Sequence, residues 1–409
     1  MSIKPAFILL LLGITLLGSI EEDNLRIWPK PKLFSNGTES FKMDCACGLG
    51  FFVTNNVTND TAPAHLISII SFYFYTIIYR THEPELRNCP LRINDYSPSQ
   101  TNDELTNISI YMDNWDLVYP NTTHDEFYEM NLYNITNWTI HSVSLAGLIR
   151  AMETLAQIIY YVDGWYYFDR IPIKVVDEPS YLYRGMMIDT SRHYLSLEMI
   201  EKVIDTLMYN KMNVLHWHIT DDDSFPLFSR TYPNISEYGA FSQYEKYSVY
   251  DIDEIMYYAK KRGIRVIPEI DTPGHTYSWG YAPELANITL NCTTYAFGQF
   301  DPTLNLTYDV VKGVMNDTDK YFDVDYIHFG GDEVVEKCWD QRPEIKDFMT
   351  AHNIQNYSEL QSYYRKRQKE IFRAEVNSTK KIMYWANKQL NLPLDEDDVI
   401  HWVIEFYKI

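Results

Sequence analysis

The chain has 409 residues, of which 46% are hydrophobic and 22% are charged. This length suits two or three ordinary domains, or one barrel with an additional domain, and the hydrophobic fraction is ample for a large core. The formal net charge of -21 at pH 7 argues against nucleic acid and anionic membrane surfaces as partners.

Residues 1–20 have the pattern of a secretory signal peptide. Lys4 precedes an apolar core from Phe7 to Leu17, and the small pair Gly18-Ser19 follows. The core is too short to span a bilayer, and no later segment is long enough. Fourteen Asn-X-Ser/Thr sequons, the first at Asn36, are typical of a secretory-pathway glycoprotein. We therefore expect an exported protein without a membrane span, either lysosomal or secreted.

The five cysteines are compatible with two disulfides and one remaining thiol. Cys45 and Cys47 are too close in sequence to pair easily, so we expect one of them to bond Cys89. Cys292 and Cys338 would then form the second disulfide. A zinc site is the alternative, but the sequence has no repeated CxxC spacing. Which of Cys45 and Cys47 is bonded stays open.

Residues 21–178 are predicted to form a smaller α+β domain. A strand-like segment, Tyr133–Ser142, leads to a helix over Leu145–Ile158. Four apolar residues of this helix share one face: Leu145, Leu148, Met152 and Leu155. No catalytic constellation is present in this domain, and its acidic residues are interpreted as solvated surface.

Residues 179–409 alternate short apolar strands with amphipathic stretches. Strands that alternate with helices and are buried pair in parallel with one another. So many strand–helix units in succession indicate a (β/α)8-type barrel. The predicted strands are Gly185–Asp189, Asn213–Thr220, Gly263–Asp271, Val324–Phe329, Lys381–Trp385 and Val399–Val403. The predicted helices are Leu197–Tyr209, Asp251–Arg262, Tyr308–Lys320 and Glu359–Ala374. Because a closed barrel has eight strands, we expect about six of eight units, with the barrel incomplete at its C-terminus.

Charged or titratable residues end the first four predicted strands. Strand one is followed by Arg192, whose planar guanidinium can clamp a hydroxyl or carboxylate, or pair with Asp189. Strand four is followed by Gly330-Gly331-Asp332-Glu333. The glycine pair lets the backbone leave strand geometry, so that both carboxyls can reach one cavity. Paired carboxyls suit acid–base work on a glycosidic or acyl bond. A solvated acidic turn is the alternative, but four such strand ends together favour a catalytic pocket.

Two chemistries compete for these residues. His216 and His218 are two apart on a strand and face the same way, a spacing used by barrel metallohydrolases. A divalent metal could be held by these two together with His275, Asp271 and Asp332. A histidine on a buried strand is more often a satisfied core residue than a ligand. We therefore favour the hypothesis that the site uses neither a metal nor a cofactor.

The metal-free alternative is glycosidase chemistry by Asp332 and Glu333. Candidate walls for a sugar ring are Trp217, Trp385 and Trp402. An activity assay in the presence of a chelator separates the two hypotheses.

Five motifs lie at and near these strand ends: Arg184–Tyr194, Tyr209–Asn213, His216–His218, Asp271–Thr276 and His328–Val334. They resemble the β-N-acetylhexosaminidases of glycoside hydrolase family 20, the lysosomal type above all. The similarity runs from about residue 130 to the end, in the family's order and spacing. Residues 148–157 resemble the helix of the family's N-terminal domain, and Cys292 with Cys338 falls where the family places a disulfide.

The resemblance implies a retaining hydrolysis of terminal N-acetyl-D-hexosamine residues, in which the substrate's own 2-acetamido oxygen is the nucleophile. Glu333 would be the general acid and base, and Asp332 would orient the acetamido group and stabilise the developing positive charge. The support of the acid/base would come from Asp221 and His275. The residues that bind the terminal sugar would be Arg192, Trp385 and Trp402.

The sequence also departs from the family's pattern. The tyrosine, the Asp or Asn and the Trp-Gly-Glu element of strands seven and eight are not found, and Ala386-Asn387 stands where relatives usually have an acidic residue. The family's dimer partner contributes to the site, so a homodimer is one expected assembly. The alternative hypothesis is a catalytically impaired, truncated homologue that acts as a binding or non-functional product. The preference between gluco and galacto substrates stays open.

Overall fold

The computed structural model describes residues 27–43, 49–55, 63–78, 92–93, 106–291, 298–386 and 398–402, except for residues 117, 135, 163 and 164. The chain divides into two compact units, Met1–Ser180 and Tyr181–Ile409. Among the described residues, no helix combines the length and the apolar character needed to cross a membrane.

The N-terminal unit is built on one mixed sheet. Its strands are β1 (Leu33–Met43), β2 (Leu49–Asn55), β3 (Arg92–Ile93), β4 (Thr106–Met112), β5 (Tyr128–Leu132), β6 (Asn137–Ser142), β7 (Tyr160–Val162) and β8 (Trp165–Asp177). The sheet order is β1-β8-β5-β6-β4-β2-β3, and β7 pairs with β8. Strands β3, β2, β4 and β6 run parallel to one another, and the pairs that involve β5 or β8 are antiparallel.

Two α-helices accompany this sheet in the described part of the unit: α1 (Ala64–Phe72), which continues as a π-helical turn (Tyr73–Ile78), and α2 (Leu145–Ile158). A short 3-10 turn covers Thr123–Glu126. Helix α2 is capped at its N-terminus by Ser144, whose Oγ accepts a hydrogen bond from the Ala146 N–H at 3.1 Å. All four apolar residues of its predicted face are buried, and both predicted ends of the helix are confirmed.

The predicted strand Tyr133–Ser142 is wrong at its start. Strand β6 begins only at Asn137. The side-chain oxygen of Asn134 accepts hydrogen bonds from the N–H groups of Thr136 and Asn137, both at 3.0 Å. This Asn-centred turn takes up the backbone donors that a longer strand would have needed.

The second unit contains the predicted parallel sheet. Its strands are β9 (Gly185–Asp189), β10 (Val214–Thr220), β11 (Arg265–Ile270), β12 (Thr289–Asn291), β13 (Gly298–Phe300), β14 (Tyr326–His328), β15 (Lys381–Ala386) and β16 (Val399–Trp402). Its α-helices are α3 (Leu197–Tyr209), α4 (Pro233–Gly239), α5 (Val249–Lys260), α6 (Asn305–Tyr321), α7 (Glu336–Asp340), α8 (Pro343–Ala351) and α9 (Tyr357–Ile371). A π-helical turn, Phe372–Val376, continues α9, and two 3-10 turns cover Tyr277–Tyr281 and Pro283–Leu285.

Six of these strands form a curled sheet in the order β16-β15-β14-β11-β10-β9, and every neighbouring pair is parallel. This arrangement is part of a (β/α) barrel, as the sequence predicted. Each of the six predicted strands and four predicted helices has its counterpart, and β9 and α3 agree residue for residue. The small antiparallel pair of β12 and β13 lies in the long connection after β11. The short helices α4, α7 and α8 were not predicted.

Strand β10 shows how this sheet presents polar side chains to the barrel interior. All seven of its residues are buried. The ring of Trp217 packs edge-on against Phe322 at 6.0 Å between centroids, whereas His216 stacks on Trp385 at 5.3 Å. Because side chains alternate along a strand, His216 and His218 share the face opposite to Trp217. This polar face of the sheet forms the floor of the site.

Candidate active site

The turn after β14 carries the two predicted catalytic acids. Gly330 and Gly331 have left-handed backbone conformations, with φ of 64° and 100°, so the chain leaves strand geometry as predicted. A β-carbon on Gly330 would lie 1.8 Å from Asp271 Oδ1, and one on Gly331 would lie 2.5 Å from Arg365 Nη2. Both the conformation and the available space therefore demand glycine at these two positions.

Buried hydrogen bonds fix this turn from two sides. The Gly331 N–H donates to Asp271 Oδ1 at 2.7 Å, so the end of β11 holds one side. The Gly331 carbonyl accepts from Gln361 Nε2 at 2.9 Å and from Arg365 Nη2. Both donors lie on helix α9, so this helix holds the other side and the turn is rigidly placed.

The two acids differ in environment. Glu333 is 75% exposed at its side chain and has a left-handed backbone, with φ of 49°. Asp332 Oδ1 is buried and has no hydrogen-bond partner among the described residues. Burial raises the pKa of Asp332, and the charges of Glu269 and Glu333 raise it further, although His275 opposes them. One acid can therefore reach solvent and a bound ligand, while the other offers a buried acceptor.

His275 lies between these acids and the end of β10. Its Nδ1 is 3.2 Å from Asp221 Oδ1, and its Nε2 is 3.5 Å from Glu333 Oε2 and 3.8 Å from Asp271 Oδ2. Burial alone would lower the pKa of His275, but Asp221 and the neighbouring carboxyls raise it to about 10. The ring is therefore an imidazolium at neutral pH, with an N–H directed towards carboxylates on both sides.

Asp221 joins His275 to Arg192. The Arg192 guanidinium contacts Asp221 Oδ2 through Nη2 and Asp189 Oδ2 through Nη1, both at 2.7 Å. The pairing with Asp189 that the sequence left open is therefore present together with a second pairing. Burial would raise the pKa of Asp221, but hydrogen bonds from His218 and His275 hold it well below its ordinary value.

The neighbouring Asp222 was missed by the sequence analysis. Its Oδ1 accepts hydrogen bonds from the N–H groups of Tyr277 at 2.8 Å and Gly298 at 3.1 Å. Asp222 thus ties the end of β10 to the connection after β11. Burial first, and then the charge of Asp221, raises the pKa of Asp222 to about 6.

Glu269, near the end of β11, is fully buried and was also not assigned a role from the sequence. Its Oε1 accepts a hydrogen bond from Trp385 Nε1 at 2.6 Å. Its Oε2 lies 2.6 Å from His216 Nε2 and 3.2 Å from His218 Nδ1. Burial by itself raises the pKa of Glu269, but the surrounding histidines hold it well below its ordinary value. The period-2 pattern of His216 and His218 beside an acid on the adjacent strand was the signal that could have found this cluster.

The remaining predicted residues have different outcomes. Trp385 is half-buried and stacks near His216 and His328 in the barrel interior. Trp402 ends β16, paired with Ala386, and its side chain lies outside the described part of the structure. Cys338 is buried and disulfide-bonded, whereas Cys292 lies outside the described residues, so their pairing stays a prediction. Cys45, Cys47 and Cys89 also lie outside the described residues.

The residues of the alternative metal hypothesis do not share one centre. Within the described residues, donor atoms that approach within 4.8 Å of one another form four groups. His216 groups with Glu269 and His328, His218 with Glu269 and Asp271, and His275 either with Asp271 and Asp332 or with Asp221 and Asp222. Any of these groups offers nitrogen and oxygen donors to a divalent cation. His218 hydrogen-bonds Asp221 at 2.9 Å, as a satisfied core histidine would, whereas His216 Nε2 lies 2.6 Å from Glu269 Oε2 without hydrogen-bond geometry.

Comparison with known proteins adds two family matches. The profile described as "Glycosyl hydrolase family 20, catalytic domain" matches residues 181–404, more than half of the chain. A second profile, "beta-acetyl hexosaminidase like", matches residues 27–158.

Individual relatives agree with these matches. The beta-hexosaminidase subunit beta of Homo sapiens is 38% identical over 252 residues, which are 60% of this chain and 45% of that protein. Beta-hexosaminidase 1 of Arabidopsis thaliana is 40% identical over 219 residues, 53% of this chain and 39% of that protein. The chain thus spans about half the length of the relatives that it matches, or less.

Solved structures share the fold at low identity. A chitobiase of Flavobacterium johnsoniae has a TM-score of 0.76 at 24% identity, covering 94% of this chain and 55% of its own. An exo-β-N-acetylglucosaminidase of Vibrio harveyi, solved in complex with N-acetylglucosamine, has a TM-score of 0.72 at 22% identity, with 92% and 57% covered.

Proposed function

The chain belongs to glycosyl hydrolase family 20, and on that premise we propose that it acts as a β-N-acetylhexosaminidase on the terminal N-acetyl-D-hexosamine residues of glycoconjugates. One observation carries the proposal. The rigid turn after β14 presents an exposed Glu333 and a half-buried Asp332 whose Oδ1 is buried, and His275 Nε2 lies 3.5 Å from Glu333 Oε2. This is an asymmetric pair of acids with a cation beside it.

Glu333 is the proposed general acid and base. Its exposed side chain can reach the glycosidic oxygen of a bound glycan, donate a proton to the leaving group and then accept a proton from water. His275 contacts Glu333 on one side and Asp221 on the other. It therefore fixes the position of the acid/base and carries a charge that responds to proton transfer.

Asp332 is the proposed partner of the substrate's acetamido group. Its buried Oδ1 has no donor among the described residues, so it can accept the acetamido N–H once the site adjusts to admit the substrate. Because burial raises the pKa of Asp332, its negative charge is costly in the empty site. The positive charge of an oxazolinium-like intermediate offsets that cost, so the stabilisation is greater in the transition state than in the ground state.

The proposed site for the terminal sugar uses Arg192, Trp385 and Trp402. The Arg192 side chain is 43% exposed while two carboxylates hold its guanidinium, and its planar fork suits sugar hydroxyls. Trp385 presents a half-buried ring whose Nε1 is fixed by Glu269. An aromatic face held in this way suits packing against a sugar ring.

We further propose the setting of this activity. Residues 1–20 act as a signal peptide, residues 21–178 as the accessory α+β domain and residues 179–409 as the catalytic barrel. The exported protein is a glycoprotein with a Cys292–Cys338 disulfide, is lysosomal or secreted, forms a homodimer and binds no nucleic acid. The net charge of -21 and the sequons support this setting.

The test is cleavage of a chromogenic N-acetylglucosaminide by the full chain and its Glu333→Gln variant. We expect Glu333→Gln to lower kcat by a factor of about 100 to 10,000, the ordinary contribution of acid–base catalysis. Glu336→Gln, at an exposed acid in the first turn of α7, is the matched control and should retain activity. An inactive parent, or activity that survives Glu333→Gln, contradicts the proposal. Activity that is lost with a chelator would favour the metal hypothesis.

A further inference from the structure

We propose that Glu269 and His218 are positioning residues of the site, because they form one continuous chain of contacts that joins Trp385 to Asp221, His275 and finally Glu333. This inference rests on the proposed function, and it assigns a role to two residues that would not touch the substrate. The chain couples the sugar-binding wall of the site to its acid/base through the barrel interior.

Glu269 holds the first end of this chain. Its Oε1 is 2.6 Å from Trp385 Nε1, so the orientation of the indole depends on the carboxylate. Its Oε2 is 3.2 Å from His218 Nδ1. Glu269 is fully buried and Trp385 lies two strands away, across β14. The same carboxylate therefore fixes groups on β10 and β15 at once.

His218 forms the next link. Its Nδ1 lies 3.2 Å from Glu269 Oε2, and its Nε2 lies 2.9 Å from Asp221 Oδ2. Both ring nitrogens thus approach carboxylate oxygens, and only the imidazolium has two N–H donors to satisfy both. In agreement with this geometry, Glu269 and Asp221 overcome the effect of burial and raise the pKa of His218 well above its ordinary value.

Asp221 connects His218 to the acid/base through His275. Its second oxygen, Oδ1, lies 3.2 Å from His275 Nδ1, and His275 Nε2 lies 3.5 Å from Glu333 Oε2. Negative and positive groups therefore alternate along the chain from Glu269 to His275. Each group contacts the next, although Asp221 is also held by Arg192 and His275 also lies near Asp271, so a change in charge at one group alters the balance at its neighbours.

The charged and titratable neighbours of the chain come from several elements around it, among them Arg192 after β9, which lies 2.7 Å from Asp221. Glu269 is faced by His216 and His218 from β10, His328 from β14, and also by His401 from β16 and Tyr183 before β9. The charge of Asp271 also acts on His218. The acidic residues around His275 are Asp221, Asp222, Asp271, Asp332 and Glu333. Within this set, His218 is the cation that separates Glu269 from Asp221.

A first test needs no activity. In ¹⁵N-histidine-labelled full chain, with the His218 signals assigned by their loss in His218→Gln, we expect both ring nitrogens of His218 to stay protonated from pH 5 to pH 8. In Glu269→Gln the titration midpoint of His218 should fall by at least about one pH unit, the usual effect of losing an opposite charge at this distance. A neutral His218 at pH 7 in the parent overturns the proposal, and this result does not depend on the folding of Glu269→Gln.

The second test is kinetic and concerns the far end of the chain. His218→Gln removes a cation beside Asp221, so the groups that must stay protonated for activity bind protons more tightly. We expect the alkaline limb of kcat to move up by about one pH unit, with kcat at its optimum about tenfold lower. Asp317→Asn is the matched control, because Asp317 is also buried and holds a loop through Ser229 and Thr231 but lies outside the chain.

These outcomes separate the two proposals. A loss of kcat in His218→Gln without a shift of the limb, as for Asp317→Asn, means ordinary core packing and overturns the positioning role. If the parent does not cleave the chromogenic substrate, the proposed function fails, and the histidine titrations still decide whether the chain of contacts operates.

Discussion

His275 Nε2 lies 3.5 Å from Glu333 Oε2, and both residues have left-handed backbones, with φ of 59° and 49°. Such conformations cost about 1–3 kcal/mol each in residues other than glycine and cluster at functional sites. The fold holds the first residue through the connection after β11 and the second through the turn after β14. The contact thus joins two strained loops. One loop carries Glu333, the proposed acid/base, and the other carries His275, which supports it.

Replacing His275 tests this contact. Because the folded protein raises the pKa of His275 to about 10 from 6.5, its contribution to stability is fully present below pH 6.5 and is lost as the pH rises to about 10. His275→Gln should therefore abolish this decline in the free energy of unfolding and lower kcat by about tenfold or more. Urea denaturation at pH 6 and pH 9 measures the first effect. If the free energy of unfolding falls between pH 6 and pH 9 by the same amount in the parent and in His275→Gln, the prediction is contradicted.

Asp222 should behave in the opposite sense. The fold raises its pKa to about 6 from 3.8, so its ionisation destabilises the folded state increasingly from pH 3.8 to pH 6. In Asp222→Asn the side-chain oxygen can still accept from Tyr277 and Gly298, while the amide replaces Oδ2, which has no hydrogen-bond partner among the described residues. We expect the variant to gain on the order of 2 kcal/mol relative to the parent at pH 7.5.

The measurement for Asp222 is urea denaturation of both proteins at pH 4.5 and pH 7.5. The gain of Asp222→Asn should be small at the lower pH, where the carboxyl is largely protonated in the folded protein. A variant that is less stable at both pH values would show that the negative charge itself holds the two backbone N–H groups.

Gly330→Ala should be strongly destabilising. The new methyl group would lie 1.8 Å from Asp271 Oδ1, at a backbone φ of 64°. Steric overlap and left-handed strain together should cost about 3 kcal/mol or more. Gly50→Ala is the control, because its nearest contact would be an ordinary 3.5 Å. Guanidinium denaturation compares the two, and equal effects would mean that the turn can move away from Asp271.

The sequence predicted the strands and the carboxylates but not the network between them. Short apolar runs mark the six strands of the parallel sheet, β9, β10, β11, β14, β15 and β16, and the glycine pair marks the turn, because both signals are local. The contacts of Glu269 depend on residues from β10 and β15, and Trp385 on β15 is 116 positions away in the sequence. These residues become neighbours only through the parallel register, which places His218 opposite Glu269. Asp222 was missed for the same reason, since its partners are backbone N–H groups, which no side-chain pattern reveals.

Arg192→Lys should weaken binding more than catalysis. The guanidinium contacts Asp189 and Asp221 through separate nitrogens, both at 2.7 Å, and a lysine ammonium cannot reproduce that planar fork. We expect KM for the chromogenic substrate to rise about tenfold, corresponding to about 1.4 kcal/mol, with a smaller change in kcat. Arg367→Lys on α9, where the guanidinium lies over the Tyr308 ring, is the control. A drop in kcat at constant KM would instead place Arg192 in the chemical step.

Asp332→Asn distinguishes substrate assistance from an enzyme nucleophile. If Asp332 only orients the acetamido group and stabilises positive charge, the amide keeps an oxygen acceptor for the acetamido N–H but loses the charge. We then expect kcat to fall about 100- to 1,000-fold, as for other preorganised electrostatic groups, with KM changed little.

Added azide should not restore turnover by attack on the anomeric carbon from the side of residue 332, because the substrate's acetamido oxygen occupies that position. Recovery of activity with azide, giving a glycosyl azide of inverted configuration, would show that Asp332 is itself the nucleophile. The configuration of the first-formed sugar, read by NMR in the parent, completes the argument: a retained β-anomer requires two displacements, and only the azide result shows which oxygen performs the first.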